Sequence, residues 1–405
     1  MILPNISEFI KREILNRESS LFQKDIELNR EKLNSQINNK NVLVIGGAGT
    51  IGSSYIRALI DFNPKALIVV DTNENGLTEL TRKLRSDYKV NLPETYLTYP
   101  LNFASATFDK ILEKYSFDIV ANFAAHKHVR SEKDIISIEA MIDNNVFSAQ
   151  GLLEKLSKNP PEHFFCVSTD KAANPVNVMG SSKKMMENLI MSYASDFKIT
   201  TARFANVAFS NGSLLDGYLF RLMQRQPISC PSDVRRYFVS PEESGQICLL
   251  ACILGKSGDI FFPKLNENQL ISFKDITEKF FKYLNLEIQV CSSELEAKEI
   301  SVRINQGENN EGYPVFFFKS DTSGEKLYEE FYEKDDILDM FSFEELGIIT
   351  ETVRPNKSEI NEAILKLKKV LSMEGSKKSD LIDVMSSIIP GFEHIETGKS
   401  LDQKM

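Results

Sequence analysis

A hydroxyl, a carboxyl and an amine stand side by side in Thr169-Asp170-Lys171, directly after the apolar run HFFCVS. Such a trio can hold an oxygen, release a proton and take one up, which is the equipment of general acid–base chemistry. Met179 and Lys183 follow at the four-residue spacing that puts two side chains on one helix face. Asp170–Lys171 could equally be a surface turn. That reading does not explain why the three groups share the carboxyl end of a buried strand, where open α/β sheets bind ligands.

A second constellation is Gly46-Gly47-Ala48-Gly49-Thr50-Ile51-Gly52, between the apolar run NVLVI and the helical pattern IGSSYIRALIDF. Glycine at 46, 49 and 52 allows a tight turn, close approach to a pyrophosphate and helix–sheet packing. The amides of Thr50 and Ile51 open the helix, where a phosphate is favoured. Asp71 ends the next apolar strand 19 residues after Gly52, which is where a dinucleotide fold places its ribose-binding acid. Asp71 and the nearby Asn73 therefore join the cofactor-binding candidates. A carboxylate here favours NAD over NADP, whose 2′-phosphate it would repel. After the fourth strand, Ala124 and Ala125 are small enough for a cofactor to approach, and His126, Lys127 and His128 follow at once. The histidines read as structural or substrate-positioning groups, and Lys127 as a contact for an anionic substrate.

The elements that must position these groups alternate. Strands near 41–45, 66–71, 95–101, 117–124, 163–168 and 200–207 are separated by helices near 75–87, 105–115, 136–157 and 178–196. Continuous apolar strands between helices predict a Rossmann-like, doubly wound parallel α/β sheet over 41–212. Helices near 240–255 and 272–284 and short strands such as DIFFP and PVFFF predict a smaller, mainly substrate-binding α+β lobe over 213–355. Residues 1–40 are expected to be a helical extension packing on the body or a partner subunit, and 356–405 a helical, then irregular, tail.

Among 405 residues, 48 are Lys or Arg and 57 Asp or Glu, a net charge of −9. That balance argues against nucleic acid or an anionic membrane as main partner. The five cysteines (166, 230, 248, 252, 291) contain no metal-type C-x2-C pair, and read as core residues of a reducing compartment with no metal site. The opening MILPNISEFIKREI lacks a signal-peptide run, and no stretch approaches the roughly 20 apolar residues of a membrane span. A soluble, cytoplasmic protein is expected.

STDKAANPVNVMGSSKK, residues 168–184, resembles the UDP-N-acetylglucosamine 4,6-dehydratase group of the extended short-chain dehydrogenases/reductases. It is most similar to the branch in which methionine, here Met179, replaces the superfamily tyrosine. The similarity continues through Arg203-Phe204-Ala205-Asn206-Val207, Ser210-Asn211-Gly212-Ser213, Arg236-Tyr237-Phe238-Val239, Gly258 to Lys264 and Gly324 to Glu330, and covers 41–350. Departures are Asn102 in place of an adenine-contacting aspartate, followed by Phe103, and Thr322-Ser323 in place of Arg-Pro. YPVFFFKSDTSGEK and the stretch from His394 to Met405 resemble dehydratases of legionaminic-type nonulosonate pathways.

The resemblance implies an enzyme for bacterial surface glycan synthesis, with a UDP-sugar substrate, tightly held NAD and a homo-oligomeric state. In the family reaction NAD+ takes hydride from sugar C4, the C5 proton and C6 hydroxyl leave, and the hydride returns at C6. It further implies Asp170 as acid, Lys171 as C5 base, Lys183 on the cofactor ribose and Thr169 on the C4 oxygen. Met179 cannot exchange a proton, so the C4 hydroxyl proton would pass to Thr169, Asp170 or water. Candidate substrate contacts are Lys127, His128, Asn206, Ser213, Arg236, Lys264 and Glu325. For Arg236 a salt bridge at the lobe interface is an equal reading, and for Glu325 an exposed helix start. A sugar-nucleotide epimerase and a non-catalytic NAD-binding sensor are the alternatives.

Overall fold

The computed structural model describes residues 5–308, 312–321, 326 and 330–396. Asn41–Ile45 (β1) is buried from Val42 onward and pairs in parallel with Ala66–Asp71 (β2) and Ile119–Asn122 (β4). Thr95–Pro100 (β3) extends one side, and His163–Val167 (β5) and Ile199–Ala202 (β6) extend the other. The resulting order, β3-β2-β1-β4-β5-β6, is that of a dinucleotide-binding sheet. β1, β2 and β5 are runs rich in Val, Ile, Leu and Phe because helices cover both faces.

The sheet does not stop at β6. Ile260–Pro263 adds in parallel, then Leu346–Thr350 and Ile337–Asp339 add antiparallel, making nine strands. DIFFP therefore belongs to the main sheet, although the sequence pattern put it in the second lobe. The physical reason is edge pairing: Ile260, Phe261 and Phe262 are buried and supply partners for the open side of β6. Helix Pro241–Leu254 is buried along most of its length, with an apolar second half from Ile247, and packs tightly on helix Thr50–Ile60. A Cβ on its Gly245 would lie 2.3 Å from the Ser54 carbonyl oxygen, so only glycine permits that approach.

The second lobe is a parallel sheet of Ile228–Pro231, Tyr313–Phe318 and Ile288–Cys291 with helices Leu214–Met223, Phe273–Tyr283 and Glu294–Asn305. The N-terminal extension consists of short helical pieces that tie both lobes together. Phe9 packs against Phe209 and Phe280 of the second lobe, while Phe22, Leu33 and Ile37 enter the main core. Between them Arg17 makes a two-pronged ion pair, at 2.7 and 2.8 Å, with the buried Glu243. The tail carries a second helix, Lys378–Ile388, beyond Lys357–Ser372.

The helix expected over 136–157 is present and widens at one turn. Ile135–Ile142 and Ser148–Leu156 flank a π-helical turn, Asp143–Phe147. The widened turn aims Asn145 inward, where it receives the His126 amide and donates to the His126 carbonyl and the Ser182 hydroxyl. No helix among the described residues is long and apolar enough to cross a membrane.

Candidate active site

A cleft opens at the carboxyl ends of β1, β2 and β4. Gly46, Gly49, Thr50, Ile51, Gly52, Asp71, Asn102, Phe103, Ala124 and Ala125 line it, together with Thr72, His126, Lys127 and Asn144. Gly46 has φ +74°, and a Cβ there would lie 2.6 Å from the Ala124 nitrogen. A Cβ on Gly52 would fall 2.3 Å from the Gly46 carbonyl oxygen. Both glycines are thus required by the turn itself. Gly49 begins helix Thr50–Ile60 with no side-chain cap, and Thr50, Ile51 and Gly52 of its first turn line the cleft. Asp71 is held in place by the Ala48 and Asn73 amides, each at 2.9 Å. Asn73 itself turns away: its side-chain oxygen caps helix Glu74–Ser86 by accepting the Gly76 N–H, so it is a structural cap rather than a cleft residue.

The Thr169–Lys171 turn follows β5. The Thr169 hydroxyl donates to Asp170 Oδ1 at 2.7 Å and Lys171 Nζ donates to the same oxygen at 3.1 Å. Asp170 is buried and Lys171 half-buried. An acid and an amine in direct contact at a strand end can divide a proton addition and a proton removal between them.

Helix Val178–Met191 packs directly on this turn. A Cβ on Gly180 would lie 2.3 Å from the Lys171 carbonyl oxygen. Met179 is 2% exposed, and its amide donates to Glu132 Oε1 at 2.8 Å. Lys183 is buried and donates to the Val167 carbonyl at 2.6 Å and to Met186 Sδ. Burial pulls its pKa below the usual lysine value, opposed in part by Cys166 and Glu187. It is not among the residues lining the glycine cleft. Behind the turn, Ser168 donates to Glu187 at 2.6 Å, and Arg203 grips the same carboxylate through two nitrogens at 2.9 and 2.7 Å. Burial alone would raise Glu187, but the guanidinium and the hydroxyl outweigh it and hold the carboxyl below its ordinary value.

The substrate-side candidates divide. Lys127 lines the cleft, and burial lowers its pKa, with Asp216 acting the other way. His128 packs against Gly212, and burial, then Lys127 and Arg130, lower its pKa from the ordinary histidine value. Ser213 caps helix Leu214–Met223 through the Asp216 amide, and Asn206 lies in a short strand pairing with Phe238–Val239. Arg236 is buried and donates to the Arg235 carbonyl. Lys264 is a correction: its ammonium donates to the carbonyls of Met340, Phe343 and Glu344 and fastens that loop. Glu325 lies outside the described residues.

Sequence reasoning missed Asn145, Glu132, Glu187 and Arg203. A signal existed for Asn145, since Asp143-Asn144-Asn145 interrupts an apolar helical pattern. The other three are ordinary charged residues whose burial only the fold reveals.

Residues 42–351 match the family described as polysaccharide biosynthesis protein. An uncharacterised membrane protein of Methanocaldococcus jannaschii is 31% identical, covering 76% of this chain and 85% of its own. The capsular polysaccharide biosynthesis protein CapD of Staphylococcus aureus is 25% identical over 83% of this chain. This chain spans only 53% of CapD's length. A UDP-glucose 4-epimerase of Rickettsia canadensis is 28% identical over 56% of this chain and 66% of its own. Among solved structures, Pen from Bacillus thuringiensis shares the fold with TM-score 0.60 at 22% identity, covering 79% of this chain and 90% of that one. DesIV, a dTDP-glucose 4,6-dehydratase from Streptomyces venezuelae solved with NAD and TYD bound, does so with TM-score 0.54 at 17% identity, covering 72% and 87%. The chain belongs to the polysaccharide biosynthesis protein family.

Proposed function

We propose that the chain is a nucleotide-sugar 4,6-dehydratase acting on UDP-N-acetylglucosamine or a close UDP-hexosamine, with NAD as a recycled cofactor. The observation that carries this reading is the Asp170 carboxyl held between the Thr169 hydroxyl and the Lys171 ammonium, beside a buried methionine. Dehydration needs a base and an acid on adjacent sugar carbons, which an Asp–Lys pair provides and a thioether does not.

The glycine turn and the oriented Asp71 suit a dinucleotide. Gly46 and Gly52 are sterically required, and a carboxylate fixed by two amides at the cleft suits ribose hydroxyls. When bound, NAD+ would supply the hydride acceptor and donor that the reaction recycles. Asp71 and the Thr50–Ile51 amides would hold it. In this reading the Lys171 ammonium first passes its proton to the Asp170 carboxylate it touches. The free amine then takes the C5 proton and returns it after C6 is reduced, protonated Asp170 gives its proton to the departing C6 oxygen, and Thr169 holds the C4 oxygen, whose hydroxyl proton leaves to water. Lys127, at the cleft, meets the substrate's anionic part.

An epimerase is the second reading, favoured by the identity to the Rickettsia enzyme. Incubating the purified protein with UDP-N-acetylglucosamine and weighing the product separates the two. Loss of one water supports dehydration. An unchanged mass with altered C4 configuration would replace it by epimerisation.

The cofactor part has its own test. Nucleotide released on denaturing the protein should be NAD(H). Asp71→Ala should narrow the preference over NADP(H) by about tenfold or more, the worth of one charge-assisted contact. Release of mainly NADP(H) from the unaltered protein would overturn the role given to Asp71.

A further inference from the structure

The groups behind Met179 include a buried pair that the proposed chemistry leaves unused. Glu132 ends the short turn Val129–Glu132 after β4 and is buried. One of its oxygens accepts the Met179 amide at 2.8 Å; the other lies 3.6 Å from Nε2 of His394, within ion-pair reach of a protonated imidazole. The His394 side chain is only 4% exposed, and its Nε2 has no hydrogen-bond partner among the described residues. A buried ring nitrogen aimed at a carboxylate calls for an explanation.

The segment that brings His394 here is anchored at several points. Phe392 is buried in the main core and sets its ring edge-on to the imidazole. The Ile395 amide donates to the Val176 carbonyl at 3.1 Å, in the loop that leads into helix Val178–Met191. On the other side of the ring, Nδ1 lies 3.8 Å from Glu396, whose carboxylate takes a 2.8 Å hydrogen bond from Lys378. The tail is thereby seated against the start of the helix that carries both Met179 and Lys183.

We propose that His394 is a positioning residue of the active site. It steadies Glu132, and Glu132 in turn fixes the Met179 amide and the first turn of that helix. The inference rests on the dehydratase reading for its effect on turnover. A thioether is a weak acceptor and no donor, so Met179 cannot be oriented by its own side chain as a phenol would be. Its place must come from the backbone. Glu132 holds that backbone at the helix N-terminus, where a carboxylate is also electrostatically favoured.

The test compares His394→Leu with His394→Gln in the full chain, alone and in a Glu132→Gln background. Leucine keeps the packing volume and loses the polar edge; glutamine keeps a donor. The expected result is a fall in kcat of about ten- to a hundredfold for leucine, the cost of a small misplacement at a reacting centre. KM for the sugar nucleotide should stay within about twofold, and glutamine should recover most of kcat. In the Glu132→Gln background the leucine change should add little, because both substitutions break one chain of contacts. Independently of any reaction, hydrogen exchange at the Met179 amide should speed up in the leucine variant. An unchanged Met179 exchange rate overturns the proposal. So does a glutamine variant as impaired as the leucine one, which would mark His394 as packing alone. Failure of the unaltered protein to dehydrate its substrate would count against the dehydratase reading, while the exchange measurement still decides the contact.

Discussion

Lys171→Met should stop solvent deuterium from entering C5 of the sugar, whereas Asp170→Asn should slow water loss while C5 exchange persists. The Lys171 ammonium lies 3.1 Å from the Asp170 carboxylate on one turn, yet the proposed roles put the two residues in different steps. Enolisation needs only a base at C5, and departure of the C6 oxygen needs an acid afterwards. Removing the base blocks both steps; removing the acid blocks only the second. Each loss should be about 10²–10⁴-fold, the usual contribution of a positioned proton donor or acceptor. Asparagine keeps the shape of Asp170 and an oxygen for Thr169 and Lys171, so the turn should survive the change. Isotope analysis of recovered substrate and product reads both effects. The assignment is reversed if Asp170→Asn abolishes exchange while Lys171→Met preserves it. It fails altogether if neither change alters turnover, since the turn would then be structural.

The inner part of this site was legible from sequence because its signals are local. Glycines at fixed spacing, an acid at a strand end and a charged trio after an apolar run each follow from backbone geometry within one βα unit. The β3-to-β6 order follows from the same alternation. What could not be read depends on contacts between distant parts of the chain. Ile260–Pro263 is an ordinary apolar strand, and nothing local says which sheet edge it will fill. Lys264 lies in a stretch that matches the family, but three carbonyls from the returning loop use its ammonium. Asn73 follows Asp71 closely enough to suggest a ligand, although an asparagine just before a helix is also a strong N-cap. Glu132 and His394 are far apart in the chain and meet only because the tail folds back over the Met179 helix.

Glu187→Ala should destabilise the protein by about 3–5 kcal/mol, because it leaves the Arg203 guanidinium buried and unpaired. Both side chains are 2% exposed, so water cannot replace the lost partner. Ser168, next to the Thr169–Lys171 turn, would lose its acceptor as well. Urea unfolding measures the first effect, and turnover below the transition measures the second. The pH dependence has a definite sign. Glu187 is depressed in the folded state, so its contribution is fully present above the ordinary glutamate range and is lost as pH falls through the folded value. The alanine variant should therefore lose less stability on acidification than the unaltered protein does. A paired replacement, Glu187→Leu with Arg203→Met, separates structure from function. Apolar groups of similar volume can restore stability, but they offer the Ser168 hydroxyl no acceptor and leave the turn after β5 without its support. Stability should recover in that double variant while turnover stays low. Recovery of both would show that the ion pair serves the fold alone.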